Sequence, residues 1–362
     1  MSSPSVIGEL RLQGRSPGPL AALDLGTNNC RLLVARACGD SFEVIDSFSR
    51  IVRLGEGVAQ SRRLTERAMA RTLSALRVCT RIMARHGVAR ARCVATEACR
   101  SAVNGGEFLT RVRRATGLQL ELLPQEQEAR LALLGCLPLI DAEAEHVLLI
   151  DIGGGSTELL WLDRKQNIAG GVMRCAASLP LGVVSLTEAY GSEPHPATYE
   201  EMVRHVQRLL VPVEALHRLR VAFSGSRVQL LGTSGTVTTL GAVLLGLPRY
   251  DRRRIDGLTV ELSAIGEVSK RLRAMDNAAR AAHPCIGAGR ADLVVAGCAI
   301  VEAILRCWPV DYLRVADRGL REGILHGLMG RSLEQAIVIS DEVLVDGASS
   351  GLAAAAGSGV GT

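Results

Sequence analysis

The sequence predicts a duplicated α/β protein, two like halves facing a cleft, on three observations. Residues 22–33, ALDLGTNNCRLL, and 149–160, LIDIGGGSTELL, share one pattern. Counted from each aspartate it reads acid, aliphatic, glycine, two small residues, a polar residue, one more, a charge, then Leu-Leu. Each copy is an apolar strand, a turn and a second apolar strand, and each is followed by further strands and a long amphipathic helix. The chain of 362 residues, 48% hydrophobic and 22% charged, has enough apolar material for two cores and excludes disorder for its bulk.

In order along the chain, residues 1–20 read as a loose tail, because charges interrupt their short apolar stretches and no signal-peptide segment emerges. The first half is placed at 21–140. After the first turn come strands near 32–36 and 42–52, then a helix over 65–86. Met69, Leu73, Leu76 and Met83 recur at helical spacing there, Thr65 can cap the start and Gly87 can end it. A strand at 93–96, a helix at 107–116, a strand at 118–122 and a helix from Gln125 follow. The second half is placed at 141–317, with strands near 159–162 and 171–176, a helix over 197–217, a strand at 229–232 and helices at 236–245 and 292–307. A helix near 318–330 is expected to return to the first half. Residues 331–362 read as a tail, flexible at least from 347, where Ala, Gly and Ser dominate.

Composition narrows the function. The net charge of +5 is carried almost wholly by arginine, Lys165 and Lys270 being the lysines. Arginine suits bidentate phosphate binding, although codon bias can produce the same composition. Runs such as Arg252-Arg253-Arg254 read as solvated faces. Aromatics are only 3%, so a nucleic-acid groove built on stacking is not expected. Ten scattered cysteines without a C-x-x-C pair suit reduced thiols and a cytoplasmic protein. The seven histidines form no zinc grouping. The apolar stretches 230–247 and 292–308 carry too many polar residues for membrane spans and read as buried elements.

The two acids around the second turn raise a charge problem. If Gly153, Gly154, Gly155 and Ser156 form a four-residue hairpin loop, Ile152 faces Thr157 and Asp151 faces Glu158. Opposed Cβ atoms lie about 4.5 to 5.5 Å apart, where like charges destabilise. A hard divalent cation held by one or two carboxylates and phosphate oxygens would relieve this; so would an arginine from elsewhere, or exposure of one acid. In the first copy the same arithmetic sets Asp24 opposite Arg31, a pair able to neutralise itself. A third turn, Gly232-Thr233-Ser234-Gly235-Thr236, runs from a strand into a helix and makes either an anion site at a helix N-terminus or a capped tight turn. At the start of the helix from Gln125, Glu126 suits the helix dipole.

The stretches ALDLGTNNCRLL, VATEACRSAVN, LPQEQEARLALLG, LLIDIGGGSTELL, LPLGVVSLTE, LLGTSGTVTTLGA, GRADLVVAG and VADRGLREGIL, in this order, resemble the exopolyphosphatase and guanosine pentaphosphate phosphohydrolase family over roughly residues 20–330. The resemblance implies duplicated actin-like (ribonuclease H-like) domains around a central cleft. It also implies hydrolysis of the terminal phosphoanhydride of inorganic polyphosphate or guanosine pentaphosphate. It brings Mg2+, with Mn2+ as a substitute and K+ as a stimulant, and a homodimer. By motif position, Glu128 resembles the general base, with Asp151 and Glu158 completing the catalytic set. Asp24, Asp151 and Glu158 would surround the metal, and Gly153, Gly154, Gly155 and Ser156 would cradle phosphate. Thr27, Asn28 and Asn29 would form the opposing turn, Arg100 and Arg53 phosphate clamps, and Gly232, Thr233, Ser234 and Gly235 the far side of the cleft. Three features depart from the family pattern: Gln127-Glu128 stands for Glu-Glu, Thr-Asn-Asn for Ser-Asn-Ser, and the helical C-terminal region of longer members is missing. An ATP-dependent small-molecule kinase on the same fold, or a non-catalytic guanosine-polyphosphate or nucleotide sensor, are the competing readings.

Overall fold

In the structure, a computed structural model describing residues 18–165 and 170–340 and the backbone of 344–346, the first half opens with β1 (Leu20–Leu25), β2 (Asn29–Cys38) and β3 (Ser41–Ile51). Helices α1 (Val58–Ser61) and α2 (Glu66–Arg85), strand β4 (Arg90–Ala95), helices α3 (Glu97–Ser101) and α4 (Gly105–Thr116), strand β5 (Glu121–Leu122) and helix α5 (Gln125–Cys136) complete it. The second half starts with β6 (His146–Ile152), β7 (Thr157–Asp163) and β8 (Val172–Leu179), then α6 (Val183–Tyr190), α7 (Pro196–His217) and α8 (Leu219–Phe223). It continues through β9 (Val228–Thr233), α9 (Ser234–Leu244), α10 (Arg252–Ile255), β10 (Thr259–Glu261), α11 (Leu262–Ala274), α12 (Asn277–Ala282), α13 (Val294–Cys307) and β11 (Tyr312–Val315). Helix α14 (Leu320–Leu328) and strands β12 (Val338–Ile339) and β13 (Leu344–Asp346) close the described chain.

The duplication is visible in the strand order. The first sheet runs β3-β2-β1-β4-β5, and the second contains β8-β7-β6-β9-β11 in the same relation, extended by β10 at one edge and by β12 and β13 at the other. In both, the first three strands are antiparallel and the fourth and fifth parallel. This is the duplicated actin-like, ribonuclease H-like arrangement. β6 and β7 are buried almost throughout because both faces are covered. Leu148, Ile150 and Leu159 face the core under α7, α9 and α13, while Val147, Leu149 and Leu160 face that under α5.

Local signals act where the sequence puts them. Thr65 accepts the Ala68 amide at the start of α2, whose Met69, Leu73, Leu76 and Met83 are buried, and Gly87 takes φ +56° just past its end. α14 lies on the first sheet, with Leu320, Ile324 and Leu325 packed against Leu20, Ala22, Leu33, Val94 and Leu123. It crosses α5 through glycines: a Cβ on Gly135 would stand 2.0 Å from the Gly319 carbonyl oxygen, and one on Gly323 1.9 Å from that of Leu131.

The first part of the tail expected from 331 is packed in the structure. Leu333 and Ile337 are buried, and β12 and β13 pair in parallel with β8, because the edge of that strand is otherwise unpaired. Of the tail expected over 1–20, residues 1–17 lie outside the described residues and Leu20 already opens β1, where it is buried; residues 347–362 also lie outside the described residues. Among the described residues no helix is long and apolar enough to cross a membrane; the stretch 230–247 holds the end of β9 and all of α9, and 292–308 holds α13.

Candidate active site

Both turns form between antiparallel strands, and the pairings follow. Asp151 stands opposite Glu158 and Ile152 opposite Thr157; Asp24 stands opposite Arg31. Gly153 N–H donates to the Ser156 carbonyl at 3.0 Å, and Gly26 N–H to that of Asn29 at 2.9 Å. The two turns meet. A Cβ on Gly154 would lie 3.0 Å from Thr27 Cβ, and one on Gly155 2.9 Å from Thr27 Oγ1 and 3.1 Å from Glu97 Cγ. Only bare backbone fits here, which keeps the second turn open to a ligand. Val183 and Val184 at the start of α6 donate to the Gly153 and Gly154 carbonyls at 3.0 and 2.8 Å, so those oxygens are turned away from the cleft.

A cleft of about 510 Å³ opens between the halves. Asp24, Thr27, Asn28, Asn29, Glu128, Asp151, Gly153, Gly154, Gly155, Ser156, Glu158, Thr233, Ser234 and Gly235 all line it. Arg100 lies immediately behind: its Nη1 donates to Glu128 Oε2 at 3.1 Å and to the Leu123 carbonyl, and its Nη2 to Glu97 Oε2 at 2.7 Å. Gly232 does not reach the cleft. It sits inside β9, where a Cβ would meet Val237 and Leu313. Arg53 is not among the cleft-lining residues either; its guanidinium pairs with Asp292 at 2.8 Å. Its backbone, tied to the Asn28 carbonyl, sends the side chain toward the second half.

Four of the carboxyls that line this cleft, Glu128, Glu158, Asp151 and Asp24, are pushed above their ordinary range. Burial is the main cause for Glu128, followed by the charge of Glu158 and offset by Arg100. Burial and then Asp151 push Glu158 up to about 7, against hydrogen bonds from Ser156 and Ser178. Asp151 is raised by burial against the Ser234 hydroxyl and Arg31, and Asp24 by burial against Arg31 and Arg321. Arg31 therefore does not neutralise Asp24 outright: desolvation outweighs it. Among the described residues, no three carboxylate, histidine or cysteine side chains gather closely enough to hold a metal by themselves. The donor set thus fits an ion that takes one or two carboxylates and completes its shell with water and ligand oxygens, the habit of Mg2+.

The far wall is one that sequence reasoning missed. Arg31, Tyr250, Arg252, Arg290, Asp317, Arg321 and Glu322 line it. Arg252, read from the sequence as part of a solvated run, donates to buried Glu322 at 2.6 Å, and Tyr250 donates to Asp317 at 2.6 Å. Burial pushes Glu322 up, but Arg321 and Arg252 outweigh it and hold it below the usual range. The one available signal was the charge-dense segment Asp317-Arg318-Gly319-Leu320-Arg321-Glu322, which spends four charges in six residues at the start of a helix.

Paired glycine turns, an acid-lined cleft and cationic walls on a duplicated actin-like fold define a phosphoryl-transfer enzyme. Comparison with known proteins narrows this to a hydrolase. The model of the Ppx/GppA phosphatase family matches residues 33–332. Exopolyphosphatase 2 of Mycobacterium tuberculosis is 32% identical over 327 residues, 86% of this chain and 98% of that protein. Among solved structures, the Aquifex aeolicus Ppx/GppA family member gives a TM-score of 0.70 at 29% identity, covering 86% of this chain and 97% of that one. An exopolyphosphatase from Cytophaga hutchinsonii gives 0.78 at 25% identity, covering 87% and 99%. The chain belongs to the Ppx/GppA phosphatase family.

Proposed function

We propose that this protein removes the terminal phosphate from inorganic polyphosphate by hydrolysis, using Glu128 as the general base and a divalent cation, Mg2+ before Mn2+. The observation that carries this is the position of Glu128: a buried carboxyl with raised proton affinity, held by one Arg100 contact, in the same cleft as two glycine turns. A carboxylate whose proton affinity is raised suits abstraction from water.

Water attacks the end phosphorus, a new P–O bond forms as the bridging P–O bond breaks, and the water proton passes to a Glu128 carboxylate oxygen. The products are inorganic phosphate and a chain one unit shorter. Backbone N–H groups of Gly154, Gly155 and Ser156 and the facing Thr27 to Asn29 turn orient the end phosphate, and Arg100 keeps Glu128 in place. One or two of Asp151, Glu158 and Asp24 would hold the cation, which when bound would offset negative charge on non-bridging phosphate oxygens. Guanosine pentaphosphate presents the same terminal phosphoanhydride and is the second substrate to test. The ten free thiols suit a reducing cytoplasm.

The deciding assay is purified protein with Mg2+, measuring phosphate released from short polyphosphate, long polyphosphate and guanosine pentaphosphate without an added acceptor. Release from a polyphosphate supports the reading. Transfer only to an added acceptor points to a kinase, and tight binding with no release to a sensor.

A further inference from the structure

Arg53 stands at a second seam between the halves, behind the two turns. Its guanidinium leaves the loop after β3 and reaches Asp292 Oδ1 at 2.8 Å and the Gly289 carbonyl at 3.2 Å, both just ahead of α13. A neighbouring contact runs in parallel: Gly57 N–H donates to Glu188 Oε1 of α6 at 2.8 Å. A small cavity lies here, lined by Asn28, Arg53, Glu56, Thr187, Glu188 and Asp292 among others, and Asn28 and Leu293 line both it and the main cleft.

The first-half side of this seam is anchored to the opposing turn. Val52 and Arg53 amides donate to the Asn28 carbonyl at 2.8 and 3.0 Å, and the Gly55 amide donates to that of Thr27 at 2.9 Å. Arg71 of α2 holds the loop from the other side through the Val52 and Arg53 carbonyls at 2.9 and 3.1 Å. Arg53 itself sits at φ +46°, a left-handed conformation that a non-glycine residue keeps only when its surroundings over-determine it. On the second-half side, Gly289 presses on Ile51, where a Cβ would stand 2.3 Å from Ile51 Cδ1, and the next residue, Arg290, lines the main cleft.

We infer that Arg53 and Asp292 form a positioning clasp that assembles the phosphate cradle across the two halves: it presses the Thr27 to Asn29 turn onto the Gly153 to Ser156 turn and sets Arg290 in the cleft wall. In this arrangement the Arg53 guanidinium is spent on Asp292 and the Gly289 carbonyl and acts on the site through the turns. The inference deepens the proposed phosphatase reading and rests on it for its kinetic arm.

The test is a double-mutant cycle with Arg53→Ala, Asp292→Ala and the double variant, read by phosphate release from polyphosphate with Mg2+ and by amide hydrogen exchange. Each single variant should lose roughly 10- to 100-fold in kcat/KM, as small misplacements of a site do, and the double variant should lose no more than either single one. Exchange should quicken in peptides covering 25–31 and 52–57 in all three. If Arg53→Ala abolishes activity while Asp292→Ala leaves it intact, Arg53 contacts substrate directly and the clasp is wrong. Unchanged exchange in both single variants also overturns it. Should the wild-type protein release no phosphate, the phosphatase reading fails, and the exchange measurement still decides the clasp.

Discussion

In the proposed reaction, Glu128 is the residue on which turnover depends most directly. Replacing it by Gln keeps the volume and removes the proton acceptor, so kcat should fall by about 10² to 10⁴ while KM changes little. The same change removes a buried carboxyl crowded by Glu158, so the variant should melt no lower than wild type. A Glu128→Gln protein with wild-type turnover removes Glu128 as the base. The acids and glycines of this site were legible because each turn is contiguous and hairpin register is arithmetic: Asp151 opposite Glu158 follows from a four-residue loop. Arg53, expected from the sequence as a phosphate clamp, is not among the cleft-lining residues and pairs with Asp292, because a sequence does not say which way a side chain leaves its loop. Arg252, Arg321 and Tyr250 were missed because the cleft wall they share joins segments far apart in the chain.

Among the elements, α5 and α14 set the position of Glu128, the proposed base. Glu128 lies on the first turn of α5, and the two helices approach through glycines that allow carbonyl oxygens where side chains would otherwise stand. Gly323→Ala drives a methyl group to 1.9 Å from the Leu131 carbonyl oxygen, so α14 must move off α5. We expect a loss of about 1–3 kcal/mol in urea unfolding, as overpacking of a tight contact costs, together with reduced phosphate release. Gly327→Ala, one turn along the same helix, meets nothing within 4 Å and should be neutral or stabilise by roughly 0.5–1 kcal/mol. Equal effects of the two substitutions would show that helix propensity, not the crossing, governs α14. At the start of α2, Thr65→Ala should cost about 1 kcal/mol through its lost cap to Ala68. Of these elements, α2 was readable from its periodicity and its cap. The strands β12 and β13 were not: their short segments are held by the unpaired edge of β8, which no local pattern encodes.

For the whole molecule, the crowded carboxyls tie stability to pH and to divalent cations. Glu158 goes from an ordinary value of 4.5 to about 7 on folding, raised by burial and then by Asp151. Between these values the folded protein holds a proton that the unfolded chain has released, so this group's contribution is fully present below the lower value and is lost as pH rises through the upper one. In metal-free protein kept in chelator, the difference in melting temperature between wild type and Glu158→Gln should therefore widen against wild type from pH 5 to 8. A divalent cation competes with that proton: binding to the native state stabilises it by mass action, and does so more when the carboxyl is already ionised. Saturating Mg2+ should then raise the melting temperature of wild type more at pH 8 than at pH 6, and raise that of Glu158→Gln much less at either. The same Mg2+ shift in both proteins across this range would place the cation away from Glu158. The strand pairing that sets Asp151 against Glu158 would then need some other source of positive charge, and the nearest guanidiniums, Arg31 and Arg100, do not outweigh burial at either acid.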